Sequence, residues 1–217
     1  MRNVQNKREK VPVHAFGVRF FHWLNALAIF IMTMSGWRIY NASPLFGFRF
    51  PSQITLGGWL GGALQWHFAA MWLLVVNLAF YLLIGLVSGH FRRAFFPVSL
   101  GAVITDLKKA LRGQLSHGVG RYNSVQKTFY IGVVLIILVT IISGLCVWKP
   151  VQLQSLVFLL GGYENARLVH FAGMSGIVAF VVVHLALVAV VPSTLIPMIT
   201  GSAQIDLKIE GVNNHDR

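Results

Sequence analysis

Charge is scarce in this chain, and negative charge scarcest. Eighteen Lys and Arg stand against six Asp and Glu in 217 residues, and charged residues make up 11% of the sequence while hydrophobic ones make up 56%. A soluble domain carries roughly 25% charged residues, so too few polar side chains remain here to coat a globule in water. The one cysteine, Cys146, lies in an apolar run. That excludes a disulfide framework, an iron–sulfur cluster and a Cys-x-x-Cys-His attachment site, so any prosthetic group is held without a covalent bond. Acidic residues are missing from every long apolar stretch, against the intramembrane carboxylates expected of a transporter. No nucleotide-binding fingerprint, low-complexity tract, internal repeat or soluble catalytic domain is evident. The formal charge of +12 invites a nucleic-acid reading, but the Lys and Arg sit in particular loops, where they report topology instead.

What the chain has is length of apolar sequence. Crossing a hydrocarbon core of ~30 Å takes about 20 apolar residues in a helix, and residues 20–40, 64–87, 129–148 and 168–190 qualify. The first follows a basic stretch, as in a signal peptide, but it is long and lacks an Ala-x-Ala-like cleavage site, so it reads as a retained helix. The expected fold is all-α: one domain, residues 1–217, forming a bundle of four transmembrane helices. Arg2, Lys7, Arg8, Lys10 and Arg19 precede the first span, and Arg92, Arg93, Lys108, Lys109, Arg112, Arg121 and Lys127 lie in or beside loop 88–128. The other connections carry little beyond Arg49, Lys149 and Arg167. The positive-inside rule then places both termini and loop 88–128 in the cytoplasm of a bacterial inner membrane. Trp37, Tyr40, Trp59, Trp66 and Trp148 read as an aromatic belt at the opposite interface. Leu100, Val103, Ile104, Leu107 and Leu111 recur at helical spacing after Ser99, a candidate N-cap, and predict an interfacial helix. Residues 151–160 are apolar but too short to span.

An ionisable residue inside a span is costly and is a functional candidate by default. His22, His67, His170 and His184 all qualify. His170 and His184 are fourteen residues apart, a rise of ~21 Å on nearly one helical face. Alternating helix direction puts His67 level with His170 at the outer side and His22 level with His184 at the inner side. Two neutral imidazoles at each level suit a six-coordinate haem iron, built for electron transfer rather than oxygen binding. Zinc fits less well, with two ligands per level. The expectation is two b-type haems enclosed by the bundle, with these four histidines as metal ligands and no catalytic residue. Gly36 and Gly85 are candidates to admit the edge of a macrocycle, while Ser35, Ser143 and Gly144 read as close-packing residues. His14, His90, His117 and His215 read as solvated or interfacial.

These features resemble the di-haem membrane cytochrome b family that includes formate dehydrogenase gamma subunits, thiosulfate-reductase cytochrome b and the cytochrome b of nickel–iron hydrogenases. The likeness covers nearly the whole chain. It rests on Phe-His-Trp at 21–23, His67, the pair at 170 and 184, Gly-Arg-Tyr-Asn-Ser-Val-Gln-Lys at 120–127 and Gly-Leu-Cys-Val-Trp-Lys-Pro at 144–150. Residues 120–127 are similar to the gamma-subunit motif Gly-Lys-Tyr-Asn-x-Gly-Gln-Lys, with Val125 in place of a glycine. The resemblance implies a quinone, menaquinone or ubiquinone, near the inner haem, with Asn123 and Gln126 as its polar contacts. It also implies a periplasmic redox subunit, such as a molybdenum-containing oxidoreductase, as partner alongside membrane lipid. The alternatives are a stand-alone superoxide:quinone oxidoreductase resembling superoxide oxidase, and a transporter with histidine relays.

Overall fold

The computed structural model describes residues 4–89, 100–111 and 124–210. Four helices are long and apolar enough to cross a membrane: α1 (Phe16–Ala42), α2 (Leu60–Val87), α4 (Ser124–Trp148) and α6 (Tyr163–Val190). Shorter helices are α3 (Leu100–Leu111), which lies against α4, α5 (Gln154–Leu159) and α7 (Leu195–Thr200). Two strands, β1 (Val4–Pro12) and β2 (Ser202–Glu210), complete the elements. The long helices outrun the apolar stretches, most at the starts of α4 and α6. Hydropathy reports which residues tolerate lipid, whereas backbone hydrogen bonding continues into the polar turns, where Glu164 in the first turn of α6 suits the helix dipole.

The chain divides into two compact units, residues 24–184 and residues 1–23 with 185–217. In the first, the hydrophobic core is Ala28, Leu74, Leu78, Ile137 and Ile177, ringed by side chains such as Met32, Tyr81 and Ile141. Ala63, Ala166, Ser35, Ser143 and Cys146 are buried to the last atom. Small residues at these positions let helices approach closely where lipid offers no hydrophobic drive to associate. Phe30, Trp72, Leu83 and Val182 point outward, each more than half exposed, as side chains solvated by acyl chains should be.

A clasp closes the α1–α2 connection. Asn41 uses both ends of its amide on Phe50, accepting from its N–H at 2.8 Å and donating to its carbonyl at 2.8 Å. Trp37 stacks on Phe50 at 4.8 Å, and Tyr40 packs against Phe48, Phe50 and Phe171. Trp37 and Tyr40 therefore serve this clasp rather than a lipid-facing belt; Trp59 and Trp66 are exposed. Arg167 of α6 ties the clasp down, donating to the Ser43 carbonyl at 2.6 Å, the Ser43 hydroxyl at 3.1 Å and Glu164 at 2.8 Å. The turn into α2 needs Gly57: its φ is +105° and a Cβ there would lie 2.4 Å from the Ala63 nitrogen.

The second unit corrects the all-α expectation. β1 and β2 form an antiparallel ribbon, with Val4 opposite Glu210, Arg8 opposite Asp206 and Pro12 opposite Ser202. The signal was in the tail, where Ile205, Leu207 and Ile209 alternate with Gln204, Asp206, Lys208 and Glu210, the period of a strand. Val13 and His14 donate their backbone N–H groups to the Gly201 carbonyl, Arg19 donates to the Ile199 carbonyl and Trp23 to the Met198 carbonyl. The ribbon is thereby pinned to the start of α1.

Arg167→Ala should lower thermal stability in detergent by about 2 kcal/mol, the scale of losing charge-assisted hydrogen bonds to a fixed partner. Glu164→Gln should change it little, because Glu164 is 71% exposed and such pairs contribute little. Equal melting shifts for the two variants would mean that the ion pair, not the clasp, matters.

Candidate metal centre

Two helical hairpins each bring one imidazole to the same place. His67 stands on α2 and His170 on α6, with ring centroids 6.4 Å apart and ring planes at 75°. An imidazole nitrogen binds a first-row metal at about 2.0 Å, and with a ring radius of roughly 1.1 Å, two axial imidazoles on one ion put their centroids a little over ~6 Å apart. The observed separation fits one metal held between two rings. Among the described residues no group of three or more His, Cys, Asp or Glu is placed for a metal; the pair offers two imidazole nitrogens, a donor set that would suit a porphyrin iron.

Each ring is seated by the helix before it in sequence. His170 Nδ1 lies 2.8 Å from the Thr140 carbonyl and 3.5 Å from the Ser143 hydroxyl. A carbonyl only accepts, so the proton sits on Nδ1 and the Nε2 lone pair is left for a metal. His67 Nδ1 lies 3.1 Å from the Ser35 hydroxyl, and the same ring interacts with the Met32 carbonyl. Ser35 turns its own proton back to the Ile31 carbonyl at 2.7 Å, leaving its oxygen to accept from His67. In both hairpins a serine, its glycine neighbour and the carbonyl three residues before the serine form the seat.

At Gly144 the missing side chain is what admits the ring. A Cβ on Gly144 would fall 2.8 Å from Cε1 and 3.1 Å from Nδ1 of His170, and one on Gly36 would fall 3.5 Å from Cε1 of His67. Gly36 thus lies against the imidazole itself, where a macrocycle edge was expected. Ser35, Ser143 and Gly144, read from sequence as packing residues, belong to the site, with Thr140.

The absence of an internal repeat is corrected too. Ser-Gly at 35–36 precedes His-Phe-Ala-Ala-Met at 67–71, and Ser-Gly at 143–144 precedes His-Phe-Ala-Gly-Met at 170–174. The serine-to-histidine spacing is 32 in one hairpin and 27 in the other, and that offset hides the repeat from a fixed-period search.

His184 lies on α6 fourteen residues beyond His170, on nearly the same face ~21 Å along the axis. Its ring stacks on Phe180 at 6.1 Å. His22, in the first turns of α1, meets Trp23 edge-on at 5.4 Å. The structure brings His67 and His170 together and describes His22 and His184 separately, in different units. Asn123 and the candidate cap Ser99 lie outside the described residues, and Gln126 is described only as part of the first turn of α4. Leu74 and Ile177 of the core each lie seven residues past their hairpin's histidine, about 10.5 Å along the helix. An aliphatic layer therefore separates the His67–His170 level from the level of His184.

Comparison with known proteins shows the family. The profile of the prokaryotic cytochrome b561 family matches residues 13–201. The Azospira oryzae protein named "Putative protein-methionine-sulfoxide reductase subunit YedZ1" is 55% identical over 195 residues, 89% of this chain and 98% of its own length. The family implies haem b, and the paired imidazoles with free Nε2 atoms fit it.

Gly144→Ala should abolish most haem binding at this level, because the new methyl displaces His170, while Gly36→Ala should leave it largely intact. Haem-to-protein ratio and the low-spin electron paramagnetic resonance signal measure both. Helix propensity alone would make either change favourable by ~1 kcal/mol, so loss confined to position 144 isolates the steric effect. Equal haem contents would show that the ring is not held against Gly144.

Proposed function

The chain belongs to the prokaryotic cytochrome b561 family of membrane electron carriers, and on that premise we propose that it carries electrons from membrane quinol to a periplasmic protein-methionine-sulfoxide reductase. The observation that carries the reading is the His67–His170 pair, two imidazoles at metal-bridging distance with both Nδ1 atoms engaged by protein. Bound haem b supplies reversible one-electron transfer at such a pair. The protein's part is to saturate the iron with nitrogen, to fix both tautomers and to keep water away.

A second haem is held by His22 and His184. The fourteen-residue repeat on α6 and the start of α1 support this pairing, which would give one ligand from each hairpin, as at His67 and His170. The basic residues at the N-terminus and around loop 88–128 support a cytoplasmic position for both termini in a bacterial inner membrane, which puts the Arg167 clasp and His67 toward the periplasm. The quinone binds near the cytoplasmic end of α4, where the sequence offers Asn123 and Gln126 as the hydrogen-bonding groups a quinone head group needs.

The chemistry balances. A quinol gives up two electrons and two protons; a sulfoxide takes up two of each to become thioether and water. The relative's name supports the partner, a molybdenum-containing oxidoreductase in the sequence-based expectation, and favours a complex subunit over a stand-alone superoxide oxidase.

Redox titration of histidine variants tests the pairing. His67→Ala and His170→Ala should lose one haem centre, His22→Ala and His184→Ala the other, from a total of about two acid–acetone-extractable haems per chain. Loss of one centre by both His67 and His184 variants would overturn the levels.

The double change Asn123→Ala with Gln126→Ala should retain both haems and slow their reduction by a quinol analogue by about tenfold, as expected from one to two hydrogen bonds of ~1 kcal/mol each. Unchanged reduction at full haem content would move the quinone site elsewhere.

A further inference from the structure

Two guanidiniums share one cleft at the clasp end of the bundle. Arg38 of α1 and Arg49 of the α1–α2 connection line a cavity of about 310 Å³ together with Asn41, Phe50 and Leu60. Neither arginine forms an ion pair or a side-chain hydrogen bond with a described residue, whereas Arg167 nearby in the same clasp is fully engaged. Arginine stays protonated at any accessible pH, so the cleft confines two positive charges without an anion. Two guanidiniums lining one cleft favour an anion there. The backbone gives Arg49 no easy retreat, since its neighbour Phe50 is held by two hydrogen bonds from Asn41 and by stacking on Trp37.

The cleft is placed beside the metal centre. Arg38 stands three residues beyond Ser35, whose hydroxyl lies 3.1 Å from His67 Nδ1, and so on a neighbouring part of the same helix face. Leu60 precedes His67 by seven residues on α2, hence on the same face about 10.5 Å further toward the clasp. Two guanidiniums in one cleft suit a ligand that presents two anionic oxygen pairs. Haem b carries two propionate carboxylates on one edge of its ring, and guanidinium recognises carboxylate with two parallel hydrogen bonds.

We propose that Arg38 and Arg49 bind the propionates of the haem held by His67 and His170, and so act as positioning residues for it. This rests on the assignment of His67 and His170 as its ligands. The arginines orient the ring in its slot, slow its loss and favour its reduced state, because positive charge nearby stabilises the form that has gained an electron.

The test uses the full-length protein carrying its haem, without partner. Arg38→Gln with Arg49→Gln should speed haem transfer to apomyoglobin by about tenfold or more and shift the midpoint of this haem to more negative potential. Arg38→Lys with Arg49→Lys should restore the midpoint, which depends on charge. Wild-type protein reconstituted with haem dimethyl ester should lose the ester as fast as the Gln variant loses haem. An unchanged transfer rate and midpoint in the Gln variant overturns the proposal; if reductase binding weakens in that case, the cleft serves carboxylates of the partner. Should the Gln variant not assemble, equal retention of haem and ester by wild type overturns it alone. His67→Ala that keeps this haem refutes the ligand assignment, whereas its loss beside an unaffected Gln variant refutes only the role of the arginines.

Discussion

The hydrogen bond from an imidazole Nδ1–H to a carbonyl in the middle of a neighbouring helix is the constraint on which the rest of this site depends. In lipid no water can accept that proton, so the helix must supply an acceptor whose own ladder bond is not broken. A carbonyl has two lone pairs, and Thr140 spends the second on His170. The ring can reach it only because residue 144 has no side chain. One absent methyl thus decides the tautomer and leaves Nε2 available for iron.

The same solution is used twice, by the α1–α2 hairpin and the α4–α6 hairpin, and the two imidazoles so seated have ring centroids 6.4 Å apart. At the other level the hairpins diverge. Fourteen residues past His67 stands Tyr81, where the other hairpin has His184; fourteen before Gly144 stands Tyr130, where the other has His22. Between the levels lie Leu74, Ile137 and Ile177, which keep the interval dry.

The clasp gives the His67 level a structured cover. Tyr40, Phe46 and Phe48 gather on Phe171, the neighbour of His170, and Arg167 holds Ser43 over them. This end of the bundle is therefore firmly built, and it is where Arg38 and Arg49 line their cleft.

Sequence by itself determined the four membrane helices, because hydropathy is a sum over neighbours and lipid permits almost no other backbone form. It also singled out the four histidines, because an imidazole in an apolar span needs a reason, and helical period put His170 and His184 on one face. It did not show that Ser35, Thr140, Ser143 and Gly144 are seats, since serine and glycine in a membrane helix are equally explained by close packing. It passed over Arg38, hidden inside an apolar stretch, and the β1–β2 ribbon, whose strands are about 190 residues apart. Only the tertiary structure decided these. A hydrogen bond between helices, a Cβ that would collide with a ring and two arginines in one cleft all depend on distances across the bundle, and local pattern carries no information about such distances.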